Sequence, residues 1–168
     1  MEIIHFFINM DENSEVTGDL ILDQACISKK NMIHDLEQKG YGEIEKGKLF
    51  LKSFESLYLL YTHKLFLKKN KTKIDFDTFM GICQKTNSEI LTKFLIFRDL
   101  KTRGYVVKDG FGFGSDFRVY ERGHFGEKGA KFLIFGLNEW QQEKMGTLQK
   151  KIDEITQMGK EPIIAVIE

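Results

Sequence analysis

Proline occurs once in 168 residues and cysteine twice. A single proline, Pro162, leaves no Pro-rich linker and no polyproline ligand. Cys26 and Cys83 stand alone, without a Cys-x-x-Cys pair or Cys/His metal spacing. That excludes a zinc ribbon or a disulfide scaffold, and both read as buried small hydrophobes. Net charge is missing too, since 25 Lys+Arg meet 25 Asp+Glu. Bulk charge therefore does not indicate a nucleic-acid binder, and any RNA contact must come from a local patch. No signal peptide and no apolar run of about twenty residues appears, so the reading is a cytoplasmic protein with no membrane partner. There is no internal repeat and no low-complexity tract.

What is present is apolar content: 42% hydrophobic residues, fifteen of them Phe, enough for a real core in one domain or two small ones. Glu2–Asn9 reads as a short β-rich run with His5 packed in it, followed by a polar turn at Asp11–Ser14. Gly18-Asp19 gives a hairpin-type turn signal within Val16–Leu22. Ser28 is placed to cap a helix over Lys29–Gln38, with His34 on its surface and Gly40 as its stop. A hairpin is expected around Lys46-Gly47 within Ile44–Leu51. Ser53 then caps a helix with Glu55 in its first turn and Leu57, Leu59 and Leu60 on its apolar side. Leu65–Leu67 reads as a strand. The Lys-rich turn Lys68–Lys73 could touch phosphate, but reads better as a solvated hairpin tip. Asp75 caps a helix over Phe76–Cys83. A polar joint, Gln84–Ser88, sets the expected boundary between an N-terminal domain, 1–88, and a C-terminal domain, 89–168.

The second half opens on a helix, Ile90–Arg103, with Leu91, Phe94, Leu95, Phe97 and Leu100 apolar, and Gly104 after Lys101 and Arg103 is its stop. Next come a strand (Tyr105–Val107), the turn Gly110-Phe111-Gly112-Phe113-Gly114 and a strand (Asp116–Tyr120). Alternating Gly with Phe makes this a packed turn, because the rings need somewhere apolar to go. The loop Glu121–Gly129, a strand (Phe132–Phe135), a largely helical stretch (Leu137–Gly159, with Leu148, Ile152 and Ile155 at helical spacing) and a last strand begun by Pro162 (Ile163–Ile167) complete the chain. Tyr120 at a strand end and Lys160 before a strand are ordinarily a rim residue and a solvated lysine, and their spacing names no enzyme. Asp116 and Glu121 lie near the sheet without the clustered oxygen ligands of two-metal chemistry.

The run GYVVKDGFGFGSDFRVYERG resembles the signature of the archaeal tRNA-splicing (tRNA-intron) endonuclease family, whose Gly-Tyr-x-Val-Lys…Phe-Gly-x-Asp-Phe-Arg-x-Tyr pattern ends at an active-site Tyr. Gly18-Asp19, Tyr41-Gly42-Glu43 and LFLKSFESLYLL (Leu49–Leu60) resemble the family's N-terminal domain. Lys160 with Ile163-Ile164-Ala165-Val166 resembles the Lys-then-strand of its C-terminal domain. The resemblance implies an α+β protein, with a small mixed αβ N-terminal domain and a restriction-endonuclease-like αβ C-terminal domain. It also implies RNA cleavage at a bulge–helix–bulge element of precursor tRNA, without metal or cofactor. There a 2′-hydroxyl attacks its neighbouring phosphate and leaves a 2′,3′-cyclic phosphate and a 5′-hydroxyl. The family's Tyr is the base, its His protonates the leaving oxygen and its Lys stabilises the phosphorane charge.

By that resemblance Tyr120 matches the Tyr and Lys160 the Lys, but Gly129 takes the place of the His, and glycine has no side-chain proton to give. His124 lies in the same loop, closer to Tyr120. Asp153 replaces a family Arg that stacks on a bulge base, and an anion cannot make that cation–π contact. Family members continue through an acidic docking loop and a further strand used in dimerisation, and the sequence ends at Glu168 before either. The leading expectation is a structural subunit that pairs with a catalytic homologue, in a heterotetramer acting on precursor tRNA. A second is an active endonuclease using Tyr120, His124 and Lys160. A third is an RNA-binding or scaffold protein that has left splicing.

Overall fold

The computed structural model describes residues 15–110, 112, 114–138 and 144–167. The β-rich reading of Glu2–Asn9 with His5, the turn Asp11–Ser14 and the rings of Phe111 and Phe113 lie outside them. The first half runs β1 (Val16–Ile21), β2 (Gln24–Ile27), α1 (Lys30–Gln38), β3 (Glu43–Glu45), β4 (Lys48–Leu51), α2 (Ser53–Tyr61), β5 (Leu65–Lys69), β6 (Thr72–Ile74) and α3 (Phe76–Thr86). Its strands form one sheet in the order β3-β4-β2-β1-β5-β6, in which β1 and β5 are parallel and the other neighbours antiparallel. The second half runs α4 (Ile90–Thr102), β7 (Val106–Asp109), β8 (Phe117–Tyr120), β9 (Phe132–Asn138), α5 (Met145–Gln157) and β10 (Glu161–Ile167). Its sheet is ordered β10-β9-β8-β7, with α5 crossing over between the parallel strands β9 and β10. The fold is the expected α+β class.

Several local expectations hold for the reasons given. Lys46 and Gly47 turn the β3–β4 hairpin at φ 49 and 76, the left-handed pair of a two-residue turn. Asp75 Oδ1 accepts the Thr78 N–H at 2.8 Å and caps α3. Others are corrected. Gly18-Asp19 is no turn: it lies inside β1, where Gly18 pairs with Leu67, and the reversal comes at Leu22-Asp23. Gly18 is there for space, because a β-carbon would stand 2.8 Å from Ile27 Cδ1. Neither Ser28 nor Ser53 caps its helix. α1 starts after Lys29 with no side-chain cap, and at the start of α2 the Glu55 carboxylate accepts the Lys52 N–H at 2.8 Å. α3 runs past Cys83 into the polar joint, where Thr86 Oγ1 donates to Asp23 Oδ2 at 3.2 Å. Leu91 is exposed, off the buried side of α4. Leu137 belongs to β9, whose seven residues pair in register with β10, so the helix begins only at Met145. β10 starts at Glu161, one residue before Pro162, and as an edge strand it tolerates the missing N–H.

One apolar cluster runs through both halves, from Leu49, Leu57 and Phe79 to Phe97, Val107, Phe117 and Ile134. The Phe54 ring of α2 lies 5.0 Å from that of Phe97 on α4 and 5.0 Å from that of Phe117 on β8. Each such ring contributes roughly 2–3 kcal/mol on burial. Polar ties cross at the same place. Lys108 Nζ donates to the Gly42 carbonyl at 2.7 Å, and Lys101 Nζ sits 4.3 Å over the Tyr41 ring. Beneath them Glu55, 1% exposed, also accepts the Gly42 N–H at 3.0 Å. Burial pushes its carboxyl up to about 7, against the two backbone donors and the charges of Lys108 and Lys101. Burial likewise pushes the Lys101 ammonium down to about 8, with Glu55 opposing. Among the described residues no helix is long and apolar enough to cross a membrane.

Candidate active site

Sheet register brings Tyr120 and Lys160 to one end of the C-terminal sheet. Val119 pairs with Phe132, and Phe132 with Glu161. One step outward, the Lys131 N–H donates to the Val119 carbonyl at 2.9 Å and the Glu161 N–H to the Lys131 carbonyl at 3.0 Å. Tyr120 follows Val119 and Lys160 precedes Glu161, so both leave the same edge of the sheet on strands two apart. Two interstrand spacings of about 4.8 Å place their backbones on the order of 10 Å from each other. Neither is a residue adrift on the surface, and both side chains are half-buried.

The Tyr120 ring meets Phe125 edge to face, with centroids 5.1 Å apart and planes at 86°. Phe125 comes from the loop 121–129 and packs against the N-terminal half. A β-carbon at Gly40 would stand 3.4 Å from the Phe125 ring and 2.3 Å from Val106 Cγ1, so only glycine lets the end of α1 approach β7 there. Lys160 Nζ donates to the Ala130 carbonyl at 2.6 Å. A β-carbon at Gly129 would meet that ammonium at 3.9 Å, and the Gly129 backbone lies outside the left-handed region. Gly129, which is exposed, Ala130 and Lys160 are therefore neighbours beside the strand end.

His124 sits beside Glu121 on the loop, its Nδ1 buried and without a hydrogen-bond partner among the described residues. Its Nδ1 lies 3.4 Å from Glu121 Oε2, while Glu121 Oε1 accepts from Lys131 Nζ at 2.9 Å and Lys131 Nζ reaches Glu161 Oε1 at 3.7 Å. The Lys131 hydrogen bond and charge hold the Glu121 carboxyl below the usual carboxylate range, with a smaller pull from His124. Glu121, and then Glu161, hold the Lys131 ammonium above its ordinary value. All these side chains are substantially solvated, so the chain of charges orders the loop more than it stabilises the fold.

This end of the sheet offers the Lys160 ammonium and, two strands away, the Tyr120 phenol. It lacks a side-chain acid at position 129. Asp153, on α5, accepts from Gln149 Nε2 at 2.8 Å and is exposed. Asp116 is engaged structurally: its Oδ2 accepts the Gly136 N–H at 2.8 Å and its Oδ1 lies 3.3 Å from Lys93 Nζ. No group of three or more His, Cys, Asp or Glu able to hold a metal ion occurs among the described residues. Sequence reasoning missed Phe125 and Lys131. The Gly123…Gly126 bracket around a lone aromatic was the available signal for the first. For the second there was none, because Glu121 and Glu161 are distant in the chain.

Comparison with known proteins covers most of the chain. A family model described as tRNA intron endonuclease, catalytic C-terminal domain, matches residues 90–168, and one described as tRNA intron endonuclease, N-terminal domain, matches residues 16–80. The tRNA-splicing endonuclease of Methanococcus maripaludis is 30% identical over 147 residues, which is 87% of this chain and 83% of that protein. That of Thermococcus kodakarensis is 30% identical over 87% of this chain and 86% of its own length. That of Methanothermobacter thermautotrophicus is 33% identical over 63% of this chain and 60% of its own.

Proposed function

The chain belongs to the tRNA intron endonuclease family, and from that premise we propose that it is a non-catalytic structural subunit of a heteromeric tRNA-splicing endonuclease. Its catalytic homologue would cut precursor tRNA at bulge–helix–bulge elements, leaving 2′,3′-cyclic phosphate and 5′-hydroxyl ends. The observation that carries the reading is Gly129. It stands where the family resemblance puts a proton-donating His, beside Lys160 Nζ, and brings no side chain. Loss of the proton to the leaving oxygen removes roughly 10²–10⁴ in rate even where the phenol and the ammonium remain. Asp153, at the place of the base-stacking Arg, supports the same reading, since a carboxylate repels phosphate and cannot stack on a base.

A structural subunit needs a face for its partner. β10 is the edge of its sheet and carries exposed Ile163, Ile164 and Val166. An apolar strand paired on one side only, by β9, is suited to a homologous subunit on the other. In this reading the half that carries Tyr120 and Lys160, residues 89–168, positions the partner, and residues 1–88 brace it through the Phe54–Phe97–Phe117 contact.

The test is cleavage of a bulge–helix–bulge RNA in EDTA, by this chain alone and by its mixture with a catalytic homologue from the same source. Cleavage by the mixture only is expected. Cleavage by the purified chain alone would overturn the proposal.

A further inference from the structure

The chain is neutral overall, yet residues 64–73 hold five lysines and no acidic residue. The fold gathers them on the β5–β6 hairpin at one edge of the N-terminal sheet. Leu65, Leu67 and Ile74 are buried and fix the hairpin to the core, so its lysines are presented on a rigid support. Among the described residues their neutralisation is slight: Lys68 Nζ is 3.7 Å from Asp19 Oδ1, and Lys69 and Lys71 make no ion pair. Lys73 Nζ rests 5.6 Å over the half-buried Phe66 ring.

Two features of this hairpin work against its own stability. Lys68 and Lys73 are directly paired across the strands, and like charges in that position repel. Asn70 and Lys71 both turn at positive φ, 48 and 69. A two-residue turn of this hand favours Asn-Gly, yet the second position holds a lysine, which pays in backbone strain what glycine would not. Both departures from local preference add positive charge at the tip, and such departures concentrate at functional sites. Lysines on an edge strand also deter edge-to-edge pairing, but that needs neither a lysine at a strained turn nor a repelling pair.

Resting on the tRNA-splicing reading above, we infer that the β5–β6 hairpin is an RNA-contacting surface that takes the phosphate backbone of precursor tRNA. Contact with phosphates relieves the Lys68–Lys73 repulsion and releases counterions, so binding here is salt-dependent and insensitive to sequence. The site is on the other sheet from the one that Lys160 adjoins. It grips the body of the RNA and makes no contact with the reacting atoms.

The experiment measures binding of an intron-containing precursor tRNA transcript to the full chain as a function of salt, for Lys69→Gln/Lys71→Gln and for Lys71→Gly. Lys46→Gln/Lys48→Gln, on the hairpin at the opposite sheet edge, is the control. The double variant is expected to weaken binding about tenfold and to lower the slope of log K against log salt by about 1 to 2, while the control changes neither. Lys71→Gly is expected to raise the thermal midpoint while lowering RNA affinity, a divergence that a purely structural lysine would not produce. An unchanged salt slope overturns the inference. So does unchanged RNA binding with weakened association to the catalytic homologue, which would make the hairpin a dock for an acidic protein surface. Cleavage by the wild-type mixture is scored separately. If that mixture cleaves and the hairpin variants bind as wild type, only the hairpin inference fails. If it does not cleave, the subunit reading fails on its own.

Discussion

Lys160 Nζ lies 3.9 Å from where a β-carbon on Gly129 would stand, and no other described atom beyond the glycine's chain neighbours comes within 4 Å of that point. A β-carbon therefore fits at this exposed glycine without a clash. Gly129→His should be accepted without backbone strain and should leave the thermal midpoint within about 3 °C of wild type, as surface substitutions generally do. It should also raise metal-independent cleavage of a bulge–helix–bulge RNA by about 10²-fold or more. A well-folded Gly129→His chain no more active than wild type would show that the missing acid is not what silences it.

His124→Ala gives the complementary measurement. The imidazole faces Glu121 at 3.4 Å in a solvated loop. Its removal should leave cleavage by the mixture with a catalytic homologue unchanged within about twofold, and should cost under 1 kcal/mol of stability. A drop of a hundredfold would make His124 a catalytic acid and restore the reading of an active chain.

Phe125→Ala should be felt more. It deletes the ring between Tyr120 and Gly40. A loss of about 1–3 kcal/mol in urea unfolding is expected, from lost area and the edge-to-face pair. Faster amide exchange across the loop 121–129 should accompany it. Unaltered exchange there would mean that the loop is ordered by its charges alone.

The turn before β8 separates two uses of glycine. At Gly110 a β-carbon would fall 1.8 Å from the Ser115 carbonyl oxygen, a backbone atom that cannot swing aside. Gly112 has nothing within 4 Å but turns at φ 71. Gly110→Ala should therefore cost several kcal/mol or prevent folding, and Gly112→Ala only about 1 kcal/mol. Equal costs in thermal melts would contradict the geometry.

Glu55 and Lys101 predict a stability profile with two opposed slopes. The Glu55 carboxyl is raised from an ordinary 4.5 to about 7, so the folded state holds its proton more tightly. Its contribution is fully present below about pH 4.5 and is lost as pH rises to about 7, on the order of 3 kcal/mol. The Lys101 ammonium is lowered from 10.5 to about 8, so stability recovers as pH rises between those values. In Glu55→Gln the lower slope should flatten. Denaturant midpoints measured from pH 4 to 10 check both, and a flat wild-type profile from 4.5 to 7 would refute the Glu55 assignment.

The sequence showed the fold wherever a local rule had one answer. Asp75 as a cap and Lys46-Gly47 as a turn needed only their neighbours. Gly18 misled because glycine also serves close packing, and only the approach of Ile27, nine residues on, shows which use applies. Leu137 reads as helix in the sequence because its strand is defined by pairing with Val166, far along the chain. Of the candidate site, Tyr120, Gly129 and Lys160 were visible through their likeness to a motif. That they share one end of a sheet follows from register through Phe132, which no pattern in the chain announces. Lys131 acts through Glu121 and Glu161, ten and thirty residues away, and left no local trace, whereas Phe125 left only its bracket of Gly123 and Gly126.

The Phe54–Phe97–Phe117 contact makes the two sequence-matched halves share one interior. A protease that nicked the joint around residues 87–89 would then leave a two-piece molecule that stays assembled and melts in a single transition. Neither fragment would keep its fold when expressed alone, because each would expose the rings that the other covers.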